Sequence, residues 1–539
     1  MKKPSLLLLI CMISILFVEA QSNLARKKIS LNDLKDKIAG GWAGKMIGVT
    51  YGAPHEFRFQ QAINTDSIKW APADIKGSIW QDDLYVQLSF LMAMDKFGID
   101  APAKNFQEML AKAGYPLWCA NMQARKNYYD SIFPPASGDP ENSFRADDID
   151  FQIEADYIGF MNPGLPQNVV DISGKIGHIM NYGDGVYGGI FVGSLYSTAY
   201  FENDINKIIE QALHTIPAES DYAKIVRDVI KLHNHYPNNW KAAWKELDDK
   251  WGDEDISGAG SKFNIDAKLN GAYIVMGLLY GEGDVYRTLE ITTRCGQDAD
   301  CNPSNAMAVL GLIKGFSALP ADMQKGVKDI GDSIFINTSY SFNSAVIATD
   351  QYALQLTQKK GAYIKNDTIY IPNQPLKPAA YEVSFPKLVY DRSVPVFSKP
   401  DWVFSSNWKT YIEKSWDGKS ERDQAIYANK AGDVMEFNFN GTGISLMGNW
   451  VKDGGKADVY LDGKFQRRVN TYYNYAAQEH RDVSIWHKFQ LAPGKHTFKL
   501  VVAGEKHPDS MGANIYLTQA ILFKTGDKKS EGYRFTFEK

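Results

Sequence analysis

The sequence predicts a multidomain protein in which an all-α domain is followed by a β-sandwich domain. The chain has 539 residues, enough for two or three domains. Apolar residues recur at helical spacing from about residue 30 to residue 335. From about residue 400 onwards, short runs alternate between polar and apolar residues and are separated by turn signals. This change of pattern predicts the division into domains.

The first twenty residues are typical of a secretory signal peptide. Two lysines precede an apolar run over residues 6–18, and Ala20 stands before a cleavage point at Gln21. The run is short for a transmembrane span. We therefore expect cleavage after residue 20, a secreted or periplasmic location and no transmembrane anchoring.

The predicted all-α domain covers residues 21–335. Several of its segments place apolar residues on one helical face; they are residues 31–48, 105–114, 168–180, 204–216, 221–234 and 270–281. Glycines interrupt several of these helices, which indicates close packing or a backbone that approaches a ligand.

Two further regions follow the predicted helices. Residues 336–398 contain prolines at intervals and a small β hairpin with an Asn366-Asp367 turn, which predicts a linker. Residues 399–539 contain short strands and turn pairs such as Asp462-Gly463, which predicts a jelly-roll-like β-sandwich. Trp450, Tyr472, Tyr473 and Trp486 lie in this region and are either a sugar-stacking surface or part of the sandwich core.

Composition excludes several classes of protein. The formal net charge is −4, whereas a nucleic-acid-binding protein would need a basic face. The four cysteines do not form a disulfide framework, although a bridge between Cys295 and Cys301 stays open. The sequence contains no Gly-x-Ser-x-Gly elbow and no phosphate-loop motif. The expected partner is therefore a small-molecule or glycan substrate.

Two acidic clusters are the most informative motifs. Gln81-Asp82-Asp83 and Asp298-Ala299-Asp300-Cys301-Asn302 each precede a helix-like apolar run. A single aspartate at such a place is usually a helix cap. Two acids in each cluster exceed what a cap needs, and four carboxylates that met on folding would repel one another unless a cation neutralised them. Oxygen-rich clusters of this kind suit Mg²⁺, Ca²⁺ or Mn²⁺.

Four stretches together resemble the ADP-ribosylglycohydrolase family. They are Gly40-Gly41-Trp42-Ala43-Gly44 with residues 47–57, the Gln81-Asp82-Asp83 cluster, residues 181–191, and residues 295–306. The resemblance implies an all-α ADP-ribosylglycohydrolase-like catalytic domain that binds two divalent ions, usually Mg²⁺. It also implies that the metal ligands are Asp82, Asp83, Asp298 and Asp300. Gln81 and Cys301 stand where the family commonly has threonine, and we include both in the predicted metal site although a thiol suits Mg²⁺ poorly.

The resemblance extends to catalysis and substrate binding. It implies that Glu56 is a base or a water positioner, the alternative being an exposed loop acid, and that Asp83 takes part in catalysis. It favours substrate binding over a plain tight turn for the glycine-rich segment, with the contacts made by Asn181, Tyr182, Gly183, Asp184, Gly185 and Tyr187. Asp148, with Asp147 and Asp150, is either a wall of the cleft that binds sugar hydroxyls or a solvated acidic face.

The predicted function is an exported, metal-dependent hydrolase of a glycosidic bond that releases ADP-ribose or a ribose-like sugar. Export and the attached sandwich favour an alternative, a glycoside hydrolase acting on a polysaccharide or furanoside. A second alternative is a glycan-binding protein without catalysis, which the departures at Gln81 and Cys301 favour and the four retained aspartates oppose.

Overall fold

The computed structural model describes residues 26–252, 255–398, 401–414 and 421–526. The predicted signal peptide at residues 1–20 lies outside this part of the chain. Among the described residues, no helix combines the length and the apolar character that crossing a membrane requires.

The N-terminal half is helical, as the periodicity predicts. Ser30 caps the first helix by accepting a hydrogen bond from the backbone N–H of Asp33 at 3.0 Å. The helices are α1 (Leu31–Gly52), α2 (Asp82–Phe97), α3 (Ala103–Lys112), α4 (Cys119–Tyr129), α5 (Asp150–Glu154), α6 (Asp156–Phe160), α7 (Pro166–Ile176), α8 (Asp184–Ala199), α9 (Ile205–Leu213), α10 (Asp221–His235), α11 (Trp240–Trp251), α12 (Ala267–Gly281), α13 (Val285–Arg294), α14 (Cys301–Lys314), α15 (Ala321–Asp329) and α16 (Phe342–Lys359).

The centre of the helical domain is formed by α1, α8, α12 and α14. Every residue of α12 is buried, and so is every residue of α8 after Asp184. These helices are apolar all round, which is typical of helices surrounded by others. Their ends carry the residues of the site described below.

The C-terminal half is a β-sandwich, as predicted. Its strands are β4 (Leu388–Pro395), β5 (Trp402–Phe404), β6 (Lys409–Lys414), β7 (Glu421–Ala428), β8 (Val434–Gly441), β9 (Gly443–Trp450), β10 (Gly455–Leu461), β11 (Lys464–Asn470), β12 (His480–Lys488), β13 (Gly494–Lys506) and β14 (Ile515–Thr525). One antiparallel sheet has the order β11-β10-β13-β8-β5, and the other has the order β12-β9-β14-β7-β6 with β4 also paired to β14. Alternate residues of β8 and β10 are buried, which places one face of their sheet in the core.

The predicted linker over 336–398 is not a linker throughout. Helix α16 occupies its first part, and the indole of Trp42 on α1 donates a hydrogen bond to Thr349 at 3.0 Å. The predicted hairpin, β2 (Tyr363–Lys365) and β3 (Thr368–Pro372), is present. It joins an N-terminal strand, β1 (Arg26–Ser30), in a sheet of order β1-β3-β2. The last part supplies β4 to the sandwich.

The sandwich packs directly on the helical domain. All residues of β9 are buried, because one face of its sheet covers the sandwich core and the other meets the helical domain. The ring of Phe144 lies 6.2 Å from that of Phe523, and Tyr129 stacks on Tyr475 with ring centroids 3.7 Å apart. The two domains therefore share an apolar interface.

Candidate active site

The two acidic motifs meet in the folded protein. Asp83 is the second residue of α2 and Cys301 is the first residue of α14, and the thiol of Cys301 donates a hydrogen bond to Oδ2 of Asp83 at 3.1 Å. One ligand atom each of Asp83, Asp300 and Cys301 lies within 4.8 Å of the other two. The convergence that the metal hypothesis requires is present.

A stripe of glycines on α1 brings the motifs together. Gly40, Gly44, Gly48 and Gly52 recur every fourth residue and face the backbone of α14 and of the segment before it. A Cβ atom on Gly44 would lie 2.4 Å from the carbonyl oxygen of Met307, and one on Gly52 would lie 1.8 Å from that of Ala299. Only glycine permits this approach.

A second group of carboxylates shares Asp300. Oxygens of Glu56, Asp298 and Asp300 lie within 4.8 Å of one another. Asp298 and Asp300 are buried, whereas Glu56, which follows α1, is exposed. We refer to the space between Glu56, Asp298, Asp300 and the neighbouring Asp82 and Asp83 as the pocket. Oδ1 of Asp300 is buried and has no hydrogen-bond partner in the described part of the chain. A cation would satisfy this oxygen, so the donor set fits a divalent ion.

The crowding of these acids raises their pKa values. Burial, followed by the charges of Asp300, Asp82 and Asp83, raises the pKa of Glu56 to about 9, since its carboxyl group faces the pocket although the residue is exposed. Burial, opposed by a hydrogen bond from Asp300, raises the pKa of Asp298 to about 7. Without a cation, the site therefore holds protons near neutral pH.

The pKa values of Asp300 and Asp82 are raised as well. Burial and then the charge of Asp298 raise the pKa of Asp300 well above its ordinary value. The half-buried Asp82 has a pKa of about 6, because of burial and then the adjacent Asp83. Asp82 thus contributes negative charge to the pocket without belonging to either close group of carboxylates.

Lys45 lies beneath the pocket and was missed by the sequence analysis. Its ammonium group has no exposed surface and contacts Oδ1 of Asp83 at 3.2 Å, Oδ2 of Asp156 at 2.9 Å and the carbonyl oxygen of Ile153 at 2.8 Å. Burial alone would lower the pKa of Lys45, but the charges of Asp156 and Asp83 outweigh it and the pKa is raised. The available signal was a lone lysine between glycines of an otherwise apolar helical run.

The two departures from the family pattern have different surroundings. Burial, followed by the charges of Asp298 and Asp300, raises the pKa of the Cys301 thiol well above its ordinary value, so Cys301 acts as a neutral hydrogen-bond donor. It is not bridged, since Cys119, Cys295 and Cys301 are all free. Gln81 is half-buried at the N-cap of α2 without a capping bond from its side chain, and its part in metal binding stays a prediction.

The predicted acidic wall is largely structural. Oδ2 of Asp148 accepts a hydrogen bond from Arg145 at 3.2 Å, and Oδ1 accepts one from Ser257 at 2.7 Å. Asp150 accepts from the backbone N–H groups of Ala120 and Asn121 at 3.0 and 2.9 Å and so caps α4. Asp147 accepts a hydrogen bond from Ser384. The buried Asp148 thus has partners inside the protein in place of the predicted sugar hydroxyls.

The glycine-rich segment differs most from its prediction. Asn181 is buried; its Oδ1 accepts from the N–H of Phe151 at 3.0 Å, and its Nδ2 donates to the carbonyl oxygen of Asp148 at 2.7 Å. Tyr187 is buried and donates to the carbonyl oxygen of Ala380 at 2.7 Å. These two side chains hold neighbouring segments and offer a substrate no free polar group.

The remaining predicted substrate contacts in this segment are also occupied. A Cβ atom on Gly183 would lie 2.7 Å from Oγ of Ser384, and one on Gly185 would lie 2.4 Å from the carbonyl oxygen of Ala146. Asp184 accepts a hydrogen bond from the N–H of Tyr222 at 3.1 Å, and Tyr182 packs edge-on against His178. The glycines are explained by close packing at the start of α8.

Several aromatic residues adjoin the candidate site residues in the sequence. Phe57 follows Glu56, and its ring lies 4.8 Å from that of Phe263. Both rings pack with Cys119 against a small apolar cluster that includes Cys301. Trp80, which precedes Gln81, is 61% exposed, and Trp118, which precedes Cys119, is 51% exposed. Large exposed indoles are typical of surfaces that bind a ligand or a partner.

The aromatic residues considered in the sandwich are different. Trp450, Tyr472, Tyr473 and Trp486 are all buried. Trp450, Tyr473 and Trp486 belong to the hydrophobic core, as the second interpretation of the sequence predicts, and Tyr472 stacks on His507 with ring centroids 4.5 Å apart.

Comparison with known proteins extends these observations. The family model described as ADP-ribosylglycohydrolase matches residues 30–354. A solved ADP-ribosylglycohydrolase-related protein complex is 12% identical, with a TM-score of 0.43, and the match covers 60% of this chain and 99% of that chain. A family 35 carbohydrate-binding module from Clostridium thermocellum is 10% identical, with a TM-score of 0.17, over 24% of this chain and 98% of that chain.

One curated relative has a different activity. An A type blood N-acetyl-α-D-galactosamine deacetylase of Flavonifractor plautii is 34% identical over 99 residues, which are 18% of this chain. The match covers only 12% of the deacetylase.

Proposed function

Because the chain belongs to the ADP-ribosylglycohydrolase family, whose members hydrolyse glycosyl-type substrates with divalent metal ions, we propose that its helical domain hydrolyses a glycosidic bond to a ribose-like sugar. The pocket formed by Glu56, Asp298 and Asp300 is the proposed reaction centre. The observation that supports it best is the buried, unpartnered Oδ1 of Asp300 among these carboxylates.

The acidic groups would hold one or more divalent cations, with Mg²⁺ as the first choice. When bound, such a cation neutralises the carboxylates and polarises the oxygen atoms of the sugar. Asp298 and Asp300 are the buried ligands, and Glu56 is the exposed one.

Glu56 is the proposed proton-transfer group, because it is exposed to both water and substrate. Without a cation its raised pKa keeps a proton on the carboxyl group at neutral pH; a divalent cation bound in the pocket would lower this pKa and leave a carboxylate that can accept a proton from water. The role of base, which the sequence resemblance implies, requires that this proton is first lost. Asp83 is less suited to proton transfer than the sequence suggested, since both of its carboxylate oxygens already accept hydrogen bonds.

The proposal is tested by release assays with ADP-ribosylated protein and ADP-ribose conjugates, each with and without a chelator. We expect release that depends on added Mg²⁺ and falls by about 100-fold or more in Glu56→Gln. Glu219→Gln, a change at an exposed glutamate outside the pocket, is the matched control. Full turnover by Glu56→Gln would remove Glu56 from the mechanism.

The exposed tryptophans favour a second candidate, hydrolysis of a glycan at the same pocket. Trp80 and Trp118 would stack on sugar rings on either side of the bond that is cleaved. In a panel of polysaccharides and furanosides, Trp118→Ala should raise KM by about 3–10-fold with little change in kcat, as expected from ~0.5–1.5 kcal/mol of stacking. Phe465→Ala, which removes an equally exposed ring from the sandwich, is the control. Glycan cleavage without release of ADP-ribose would select this candidate.

We also propose that the protein is exported, on the basis of its first twenty residues. Mass spectrometry of the protein from its native cells should find a chain that begins at Gln21. A chain that retains residues 1–20 in the cytoplasm would contradict export.

A further inference from the structure

We propose that Lys45 is a built-in cation that takes the place of a second metal ion, so that the pocket binds a single divalent ion through Glu56, Asp298 and Asp300 while Asp83 is not a ligand. This inference rests on the proposed metal dependence and specifies its stoichiometry and ligands. It differs from the sequence prediction, which places Asp83 among the ligands and allows two ions.

Both carboxylate oxygens of Asp83 are already occupied. The ammonium group of Lys45 lies 3.2 Å from Oδ1, and the thiol of Cys301 donates to Oδ2 at 3.1 Å. Asp83 has no exposed surface, so it cannot turn toward solvent to free an oxygen. A metal ion at Asp83 would have to share these oxygens with a buried ammonium group at 3.2 Å and a thiol at 3.1 Å.

Lys45 is held in place on every side. Its three N–H groups have three acceptors, on Asp83, Asp156 and Ile153. Asp156 is itself fixed by the side chains of Gln87 at 3.1 Å and Asn305 at 3.2 Å. The lysine is therefore part of a complete hydrogen-bonded network and supplies one fixed positive charge beside Asp83.

The fixed charge opposes a second metal ion. A divalent cation next to Asp83 would lie close to the buried ammonium group, and like charges repel strongly where water is excluded. The Glu56, Asp298 and Asp300 group differs, because Oδ1 of Asp300 is buried there and has no hydrogen-bond partner among the described residues. The carboxylates of Glu56, Asp298 and Asp300 can therefore bind an ion, whereas the carboxylate of Asp83 is already neutralised by Lys45.

Mn²⁺ binding to the full-length protein tests the inference. The protein is stripped with a chelator, dialysed, and titrated with Mn²⁺ alone by calorimetry and by electron paramagnetic resonance. We expect one Mn²⁺ per chain and the six-line signal of an isolated ion. Two ions per chain with a spin-coupled signal would overturn the inference and leave the proposed metal dependence intact, whereas no binding would overturn both.

Two variants identify the ligands. Asp300→Asn should weaken Mn²⁺ binding by more than about 100-fold, beyond the usual cost of losing an outer-shell contact. Asp83→Asn should weaken Mn²⁺ binding by no more than about 10–100-fold, the usual cost of losing an outer-shell contact. Loss of Mn²⁺ by a folded Asp83→Asn variant would overturn the inference. If that variant does not fold, the stoichiometry of the unmodified protein still decides.

Discussion

Gly48→Ala is the sharpest test of how the fold builds the pocket. The added Cβ atom would lie 2.3 Å from the carbonyl oxygen of Pro303 and 2.5 Å from the Cα atom of Ser304. The best separation for such contacts is about 3.5–4.0 Å, so α1 and α14 would have to move apart by about 1 Å. Because the opposing atoms are backbone atoms, no side chain can rotate to make room.

The expected cost can be worked out from this overlap. Overpacking a well-packed interior usually costs about 1–3 kcal/mol. Replacing glycine by alanine inside a helix returns about 1 kcal/mol through helix propensity. The overlap at Gly48 is severe, so we expect a net loss of about 2 kcal/mol or more in the free energy of unfolding. Asp300 lies three residues before Pro303, so metal affinity should fall as well.

Gly174→Ala is the matched control. Gly174 lies in α7, and a Cβ atom there would meet no atom within 4 Å. This variant should gain about 0.5–1 kcal/mol. Urea unfolding followed by circular dichroism, with Mn²⁺ titration alongside, measures both effects. Equal stability of the two variants would refute the argument from the glycine stripe.

The remaining predictions concern charge and capping. With a chelator present, the melting temperature should fall as the pH rises from about 5 to about 9. The pKa of Glu56 is about 9 in the folded protein against an ordinary value of 4.5, so between these values the folded protein holds the extra proton and a rise in pH favours the unfolded chain. Glu56→Gln should flatten this fall in thermal scans, and an identical slope would contradict the assignment. Lys45→Met leaves Asp83 and Asp156 buried without their counterion and should cost about 3–5 kcal/mol in urea unfolding; a loss below about 1 kcal/mol would argue against the buried network. Asp150→Ala removes the cap of α4 and should cost about 1 kcal/mol by the same measurement, with an unchanged stability as the contrary result.

The sequence predicted the helical domain and the acidic pocket because both rest on local patterns. Helical periodicity and the position of carboxylates before α2 and α14 are visible in short windows. The convergence of Asp83 with Asp300 was predictable only through the resemblance to the ADP-ribosylglycohydrolase family, because like charges on distant segments repel one another unless a cation neutralises them. The burial of each pocket residue could not be predicted from sequence patterns or from the resemblance.

Where the structure differs from what the sequence indicates, one physical cause recurs, which is that polar residues can serve the protein interior. Asn181 has a type and setting that suit a ligand, yet its amide bonds to backbone groups of the preceding segment. Lys45 was overlooked because its acid partners, Asp83 and Asp156, are distant in the sequence. The helix α16 was assigned to a linker because its apolar face is narrow and its neighbours are rich in turn residues.

The apolar interface between the two domains has a practical consequence. Phe144 on one side and Phe523 on the other would both face water if the halves were separated. Either domain expressed alone should therefore aggregate, and any shortened derivative of the protein would have to retain both domains. Replacing the sandwich by another domain would require redesign of this contact as well as of the covalent junction.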